Sequence, residues 1–361
     1  MPSAWTRSDA GRGARRLASA GQAVARRLNW LFPLVLVLVA NGVVGAVATG
    51  SGLYTWMLVL VYGLFASYTN VLFGWVGRAS FGQAAFLGAG AYTVALLRNT
   101  ELSPIISLLA GTAAAAALSL PLLLVSRRAS GIPFAMITLI FAQVLYQIVF
   151  TNRQLGGENG LSGIDVSTVL GVDVITYNPL SWYVAIVVGL ALLFLRRLSG
   201  SSFGLALRAV RDDEVKSAVL GLPVRRFHTW AFVVASAGSG LAGALLAQVQ
   251  TTVSPELLFW SVSGNVVIMA LLGGRYTFYG PLLGALVFVQ LEEWFQQTIA
   301  LGDLFVGLIL LAIVLIAPDG ILGYLNRLRP GVIRERIRER KRAAEQPEVV
   351  PPSEDRRLLS R

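Results

Sequence analysis

Few side chains in this sequence could carry chemistry within its long apolar runs, and the strongest candidates are carboxylates. Glu292 and Glu293 lie toward the outer end of one apolar run, and Asp303 opens the next. Carboxylates inside a bilayer often mark proton or ion paths. The predicted depth of these three, near the outer interface, favours a simpler role in which they reach headgroups or water.

Other catalytic or metal-binding sets are missing from the sequence. The chain has no cysteine, and His228 is its single histidine. A disulfide framework, a thiolate metal site and a histidine cluster are therefore excluded. The apolar runs also hold no paired acids and no nucleophile with a base, which argues against a membrane-embedded enzyme.

The elements that must position these residues are apolar runs. Of the 361 residues, 55% are hydrophobic and 14% are charged, and the mean hydropathy is +0.67. Runs of about 20 apolar residues match a hydrocarbon core of about 30 Å. The sequence predicts an all-α, polytopic integral membrane protein with about ten transmembrane helices, near residues 31–49, 53–74, 81–97, 103–125, 132–150, 182–195, 229–250, 262–273, 280–299 and 303–318. Two of these, 182–195 and 262–273, are short enough to be tilted, broken or re-entrant.

The arginines and lysines predict the topology. With both termini in the cytoplasm, only Arg98 and Arg153 of the 30 basic residues fall on the outer side. Positive loops resist translocation, so this bias sets the orientation. The same placement explains the net charge of +11 without nucleic acid, and the partner it indicates is the lipid bilayer.

The two ends of the chain are predicted to be basic cytoplasmic tails. Residues 1–30 form the first tail, and the charged tail at 324–361 is expected to be disordered at its end. The Arg15–Arg16 pair and the small residues at 46–48 leave a cleaved signal peptide open. A retained first span is favoured, because the run is longer than a usual signal core.

The run at 82–97, GQAAFLGAGAYTVALL, is rich in glycine and alanine. Its small residues are spaced 4, 3 and 4 apart and share one helix face. Such faces occur where transmembrane helices approach closely. Two interpretations stay open, close helix packing or the lining of a translocation pathway, for Gly82, Gln83, Ala84, Gly88, Ala91, Tyr92, Thr93 and Ala95.

Two loops stand out by length and composition. The inner loop 199–228 mixes both charges and has an apolar rhythm that predicts one amphipathic helix over 203–221, ended by Gly221 and Pro223. Such a helix could simply be solvated or interfacial. The outer loop 151–181 is glycine-rich and too long for a simple turn.

A short local similarity links two inner turns. Residues 77–81 read GRASF and residues 274–278 read GRYTF, and each turn ends an outside-to-inside span and opens the next. Three identical residues among five positions leave open whether the chain contains two related halves.

The inner loop and the span after it, RAVRDDEVKSAVLGLPVRRFHTWAFVVASAGSGLAGAL, resemble the coupling loop region of branched-chain amino acid permeases in bacterial ABC importers. Further related features follow the same order: FGQAAFLGAGAYTVALL, FAMITLIFAQVLY, LGGENGLSGI and GGRYTFYGPLLGA. Together they cover most of residues 50–323 and look like the M-type permease of the pair that such importers use. Glu214 departs from the general importer pattern, since it lies seven residues before Gly221 instead of six.

Two further departures are Tyr276, where family members often carry glycine, and Leu155, where they carry threonine. The resemblance implies a permease domain at 31–323 that is moved by two separate cytoplasmic ATP-binding subunits. In agreement, the sequence contains no Gly-x-x-x-x-Gly-Lys-Ser/Thr phosphate loop. The chain is thus expected to be no enzyme and to have no cofactor, ATP being bound by the partner subunits.

The resemblance also assigns candidate contacts. The helix that docks on an ATP-binding subunit would use Arg208, Arg211, Asp212, Asp213, Glu214, Ala218 and Gly221. An extracytoplasmic substrate-binding protein would dock on Gly156, Gly157, Glu158, Asn159 and Gly160, although a loop folded on its own bundle explains these glycines equally well. A second homologous permease subunit would complete the channel in a bacterial inner membrane.

The expected function is inward transport of a branched-chain or other small hydrophobic amino acid. Related permeases handle urea, short amides or other amino acids, so the substrate follows from the resemblance alone. An ion-coupled secondary transporter is the alternative class, and the scarcity of mid-span charges counts against it.

Overall fold

The computed structural model describes residues 30–48, 50–100, 102–126, 129, 131–164, 168–169, 172–173, 176–298, 307–308 and 320–327. Their helices are α1 (Trp30–Val47), α2 (Ser51–Asn70), α3 (Gln83–Leu96), α4 (Pro104–Ser126), α5 (Gly131–Thr151), α6 (Tyr177–Ser199), α7 (Ser202–Asp212), α8 (Glu214–Val219), α9 (Val224–Gln250), α10 (Trp260–Gly273), α11 (Gly280–Thr298) and α12 (Gly320–Arg327).

Short elements complete these ranges. A π-helical segment, Val71–Val76, continues α2, and 3₁₀ turns occur at Arg153–Leu155, Gly157–Asn159 and Pro255–Leu258. Four two-residue strands, β1 (Leu161–Ser162), β2 (Thr168–Val169), β3 (Val172–Asp173) and β4 (Thr252–Val253), form antiparallel pairs β1–β4 and β2–β3.

The prediction of an all-α polytopic membrane protein is confirmed. Within the described residues, six helices are long and apolar enough to cross a membrane: α1, α2 with its π-helical extension, α4, α5, α6 and α9. The run predicted at 182–195 belongs to α6, which at 23 residues is a full-length helix and is neither broken nor short. The span predicted at 303–318 and both tails lie almost wholly outside the described residues.

The centre of the bundle is built from α2 and α9. In their most apolar stretches 83% and 72% of residues are buried, against 17%, 28% and 22% in α1, α4 and α5. The central helices therefore face protein on all sides, and the other three present broad apolar faces, as contact with lipid requires.

Glycine lets α3 and the central helix α9 touch backbone to backbone. A Cβ atom at Gly90 of α3 would collide with the carbonyl of Gly240 in α9, and one at Gly243 would collide with the carbonyl of Leu87. Packing at this distance is the usual means by which helices associate in a bilayer, where no hydrophobic drive holds them together.

The first span is fastened to the bundle by one buried amide. Asn41 of α1 is fully buried; its Nδ2 lies 3.4 Å from the hydroxyl of Ser181 in α6, and its Oδ1 accepts from the indole of Trp56 in α2 at 3.2 Å. An amide at this depth needs such partners, because hydrocarbon supplies none.

Two of the apolar helices are too short to span the membrane alone. α3 and α10 have 14 residues each, or about 21 Å at 1.5 Å per residue. Backbone that is not α-helical leads into both, residues 77–82 before α3 and 251–259, with its 3₁₀ turn, before α10. Such backbone is tolerated at membrane depth only where protein buries it, and the short run predicted at 262–273 is accounted for in this way.

The lead-in segments are held inside the bundle. The backbone N–H of Phe81 donates to Thr138 Oγ1 of α5 at 3.1 Å, and Leu258 packs against Gly88 of α3. The first turns of the two short helices then meet, since the N–H of Ala84 donates to Ser263 Oγ at 2.8 Å.

Candidate functional site

The inner loop forms a platform of two helices, which we call the inner platform (residues 200–223). The single helix predicted over 203–221 is wrong, because the chain breaks at Asp213, where φ is −157° and ψ is 102°. Asp213 Oδ1 accepts from the backbone N–H of Lys216 at 2.9 Å and so caps α8. This bond favours the ionised carboxylate and lowers the pKa of Asp213.

The two helices of the inner platform have opposite surroundings. Leu207 and Val210 of α7 are buried against the bundle. In α8 and the turn after it, Val215, Val219 and Leu220 are 74%, 82% and 81% exposed. α7 is therefore the base of the inner platform, and α8 carries an uncovered apolar tip.

Arg211 joins α7 to the inner end of α2. Its guanidinium donates to the carbonyl of Gly74 at 2.8 Å and to Asp212 Oδ1 at 2.7 Å, and it stacks 5.1 Å from the ring centre of Tyr276. Gly74 lies in the π-helical segment, and π-helical turns are frequent at functional sites. Arg211 thus contacts the inner end of one span and the turn that follows another from one position.

A second contact joins the inner platform to the turn before α3. Arg78 lies 3.5 Å from Glu214, with side-chain exposures of 18% and 55%, and also donates to the carbonyl of Ala129 at 3.4 Å. Burial lowers the pKa of Arg78, and the carboxylate of Glu214 opposes that shift. The pair is half exposed, so its stabilisation is modest.

The remaining predicted coupling residues make contacts or shape the backbone within the inner loop. Arg208 donates to the carbonyls of Ser199 and Gly204 at 2.8 and 3.2 Å. Gly221, with φ +84°, ends α8, and Ala218 lines an open recess of about 480 Å³ between α8 and the start of α9.

The two similar inner turns converge on the inner platform. Gly77 and Gly274 both have positive φ, +77° and +115°. The side chain of Arg211 packs on Gly77, and the carbonyl of Arg275 accepts from Asn70 Nδ2 at 3.0 Å. The shared sequence pattern therefore marks two turns that both contact Arg211 of α7, one through Gly77 and the other through Tyr276.

The small-residue stripe of α3 lies inside the bundle. Gln83, Ala84, Ala91 and Ala95 have no exposed surface, and Gln83 Oε1 accepts from Ser239 Oγ of α9 at 2.9 Å.

The other predicted members of the stripe also contact protein. Gly82 packs on Thr138, Gly88 packs on Leu258, and Thr93 donates to its own helix at the carbonyl of Ala89. The hydroxyl of Tyr92 is buried and has no hydrogen-bond partner in the described part of the chain. In this conformation the stripe is a packing surface.

The glycine-rich outer loop folds over the re-entrant backbone before α10. Leu161 and Ser162 pair with Val253 and Thr252, and a Cβ at Gly160 would collide with the carbonyl of Val253. We call residues 152–164 together with 251–259 the outer cap.

Within the outer cap, Gly156, Gly157 and Gly160 all have positive φ. Glu158 and Asn159 are exposed at its surface. The glycines thus shape the loop on its own bundle, and the two predicted polar residues remain accessible.

Two of the three carboxylates singled out in the sequence lie within the described residues. Glu292 and Glu293 are partly exposed near the C-terminal end of α11, and Asp303 lies outside the described residues. Across the described residues no group of three metal-ligating side chains comes together.

Sequence reasoning missed Asn70 and assigned no contact to Arg275. Nothing local distinguishes Asn70 from other polar residues in an apolar run. Arg275 had a signal in the repeated GR pair of the two inner turns, but its contact with Asn70 spans 205 positions.

The family model and the similar proteins found by comparison all name the same kind of permease. The family model described as "Branched-chain amino acid transport system / permease component" matches residues 51–314. The high-affinity branched-chain amino acid transport system permease protein LivM of Escherichia coli (strain K12) is 29% identical over 295 residues, which cover 73% of this chain and 68% of the relative. LivM of Salmonella typhimurium is 28% identical over 326 residues, covering 81% and 74%. No solved structure matches the chain.

Proposed function

The chain belongs to the family of branched-chain amino acid transport permease components and is a multi-pass protein of the bacterial inner membrane, and from that premise we propose that it is the channel subunit of an ATP-binding-cassette importer. Separate ATP-binding subunits supply the energy, and the chain itself makes and breaks no bonds. A second homologous permease completes the channel, and an extracytoplasmic substrate-binding protein delivers the solute. The solute is a branched-chain or other small hydrophobic amino acid, which enters the cell.

The inner platform is the observation that carries this proposal. Val215, Val219 and Leu220 form an apolar tip on a loop that the basic residues place in the cytoplasm. An exposed apolar group of this kind commonly marks a protein interaction site. We assign the tip to a groove on an ATP-binding subunit.

We propose that the acidic residues of the inner platform do not dock on the ATPase directly, as their sequence predicts. Asp212 binds Arg211, Asp213 caps α8, and Glu214 pairs with Arg78. All three carboxylates are engaged within the chain, so we propose that they set the shape of the inner platform and that the apolar tip makes the main contact with the ATPase.

Arg211 offers a route for the movement. A rigid α7 that tilts with the ATPase would pull on the carbonyl of Gly74 and on the ring of Tyr276 together. The first contact belongs to the π-helical end of α2 and the second to the turn between α10 and α11, so one motion would act on both places. A permease that alternates between inward-open and outward-open packings needs different contacts of this sort in its two states.

The small-residue stripe and the outer cap take supporting parts in this proposal. We assign the α3 stripe to close packing that holds α3 against α9 and its other neighbours, because its residues are buried between helices. Glu158 and Asn159 are among the exposed polar groups of the outer cap, and we assign them to contact with a binding protein. Crosslinking from position 158 to a loaded binding protein would test that contact.

The direct test of the inner platform replaces its tip with charge. The double variant Val219→Asp, Leu220→Asp should reduce co-purification of the ATP-binding subunits by at least about tenfold, since a buried unpaired charge at an interface costs more than 1.4 kcal/mol. Lys216→Ala is the matched control, because its side chain is on the same helix and is 83% exposed. Unchanged association of the double variant would contradict the role of the tip.

Transport is tested in vesicles that contain the assembled importer. Leucine uptake should stop when ATP is depleted while the proton gradient is maintained. Parallel assays with urea and a short amide identify the substrate class. Accumulation of solute by the isolated chain on a sodium or proton gradient would overturn the proposed function.

A further inference from the structure

The exposed surfaces of the membrane-spanning helices are of two kinds. On α1 and α4, polar side chains point inward or bond their own backbone: Asn41 is buried against Ser181 and Trp56, and Ser119 donates to the carbonyl of Ala116 at 2.6 Å. Their exposed side chains are large and apolar. These surfaces suit lipid, which offers no hydrogen-bonding groups.

α5 presents a different surface. Gln143 lies twelve residues beyond the first residue of α5, about 18 Å along the helix at 1.5 Å per residue, and its Oε1 is buried without a hydrogen-bond partner. Gln147 follows one turn later and is exposed. Both amides lie on a helix in whose most apolar stretch only 22% of the residues are buried.

α10 adds to the same surface. Asn265 is partly exposed, and its side chain makes no hydrogen bond within the described part of the chain. Its neighbour Gly264 has open space where a Cβ would stand, with no atom within 4 Å. A glycine at an exposed, smooth position lets another helix approach closely.

Aromatic contacts place these two helices side by side. The rings of Tyr146 and Phe259 lie 5.1 Å apart at the outer end of α10, and Phe259 lies 5.8 Å from Trp260. α5 and α10 run in opposite directions, so Gln143 lies three residues, about 4.5 Å, and Asn265 six residues, about 9 Å, inward of this contact. The two amides therefore lie on neighbouring helices and differ in depth by about one turn.

The inner half of this face is recessed. An opening of about 510 Å³ is lined by Gly77, Ala79 and Phe81 of the turn before α3 and by Ile132, Met136 and Leu139 of α5. Residues 132, 136, 139 and 143 are spaced 4, 3 and 4 apart, so the recess and the glutamine lie along one stripe of α5. The recess is apolar, and the amides stand beyond its outer end.

We propose that this α5–α10 surface, defined by Gln143, Gln147, Gly264, Asn265 and the recess, is where the chain meets the second permease subunit. The inference rests on the proposed function, which requires such a subunit. Side-chain amides both donate and accept, so a homologous helix with polar groups at that depth could pair with Gln143 and Asn265. A protruding apolar side chain of the same partner would fill the recess.

The depth of the amides selects an occupant that spans the membrane, and the second permease is the one that the proposed function supplies. Lipid tails cannot satisfy a buried amide oxygen. Soluble ATP-binding and substrate-binding subunits do not reach the middle of a span. The partner must therefore itself cross the membrane.

The test uses the absence of cysteine from the chain. Single variants Gln143→Cys and Asn265→Cys are labelled with a benzophenone maleimide in membranes that contain the whole importer, and the cysteine-free parent gives the background. Val39→Cys on α1 and Leu109→Cys on α4 are matched controls, since the native side chains are 58% and 60% exposed.

Irradiation should join the chain to the second permease, identified by its peptides, with a yield at least about tenfold greater from positions 143 and 265 than from 39 and 109. Equal or greater yields from the controls, or lipid adducts alone from 143 and 265, would overturn the proposal. If that result came with intact ATP-dependent uptake, the surface assignment would fail while the proposed function stood.

A second measurement does not depend on crosslinking chemistry. The double variant Gln143→Leu, Asn265→Leu should reach the membrane as the parent does, because neither side chain has a hydrogen-bond partner among the described residues. Its co-purification with a tagged second permease should fall at least about fivefold, whereas Leu109→Ala should leave it unchanged. Undiminished co-purification of the double leucine variant would also overturn the proposal.

Discussion

The inner platform and the outer cap close the two ends of the bundle by different physical means. At the inner platform, long charged side chains span the gap: Arg211 reaches Gly74, and Arg78 reaches Glu214. At the outer cap, backbone lies directly on backbone, as where Gly160 meets Val253. Side-chain contacts of the first kind can lengthen, swing and re-form, whereas close backbone packing tolerates almost no displacement.

This difference suggests which end is built to move. The inner platform is attached through Leu207 and Val210 of α7 and through arginine side chains whose ion pairs are individually weak. The outer cap is fixed by strand pairing and by glycines in conformations that other residues avoid. Movement driven from the cytoplasm would thus rearrange the inner contacts first and transmit through rigid helices to the cap.

The largest expected effect comes from filling the outer cap. Gly160→Ala should lower the stability of the purified protein by about 2–3 kcal/mol or prevent its accumulation, because the added Cβ meets the Val253 carbonyl at a φ of +69°. Gly163→Ala is the control: its φ is +79°, but no atom lies within 4 Å of the new Cβ, so only about 1 kcal/mol of backbone strain is added.

Thermal unfolding in detergent measures both variants. Equal losses for Gly160→Ala and Gly163→Ala would show that the contact with Val253 does not hold the cap, and the contrast between the two ends would break down.

The next effect is expected at the base of the inner platform. Arg211→Ala removes the bond to Gly74 and the stacking on Tyr276, and should reduce transport at least about tenfold while protein abundance stays near normal. Arg208→Ala should have a much smaller effect, because Arg208 contacts only Ser199 and Gly204 within the loop.

Uptake and ATP hydrolysis should be measured together for these arginine variants. Hydrolysis that persists while uptake falls would show that Arg211 transmits movement. A parallel loss of abundance would instead assign Arg211 a structural role.

A smaller effect is expected from the half-exposed ion pair. Glu214→Gln should cost the stability of the inner platform only about 0.2–1 kcal/mol, and the difference from the parent should shrink as salt is added. Hydrogen exchange of the loop at low and high ionic strength checks this. A salt-independent loss would mean that Glu214 acts through something other than its charge pair with Arg78.

The smallest effect is a pH dependence of α8. The pKa of Asp213 is lowered in the folded chain by the N–H of Lys216, so its contribution is present above the unfolded pKa and is lost as pH falls through the lower, folded value. Hydrogen exchange in α8 should therefore rise only in acid, below the ordinary range of an aspartate. Asp213→Asn should keep the cap and remove that pH dependence, and an unchanged acid response would rule out Asp213 as its source.

The sequence predicted the helices well where composition changes sharply from apolar to polar. It predicted them less well where the backbone conformation sets the end of a helix. α6 extends to Tyr177 at one end and Arg197 near the other, because polar residues can continue a helix into the interface. The break at Asp213 was hidden by an apolar rhythm that runs through it, from Phe203 to Leu222. Only the backbone conformation shows that the aspartate begins a new helix.

The contacts of the candidate site were largely beyond the sequence. Arg211 and Gly74 are 137 positions apart, and neither residue type foretells the other. The small residues of α3 predicted close approach correctly in chemical terms, but the choice between packing and pathway required knowledge of what lies opposite. Gln143 and Asn265 carried no signal, since isolated amides occur in many spans.

The buried amide of Asn41 has a consequence for the order in which the chain is assembled during synthesis. Trp56, which satisfies its oxygen, emerges from the ribosome soon after it, so the first helical hairpin can form early. Ser181 follows 140 positions later, and until α6 is inserted the nitrogen of Asn41 has no native partner. The first hairpin is therefore expected to remain next to the insertion machinery, or bound to a membrane chaperone, until a helix from the second half of the chain is inserted.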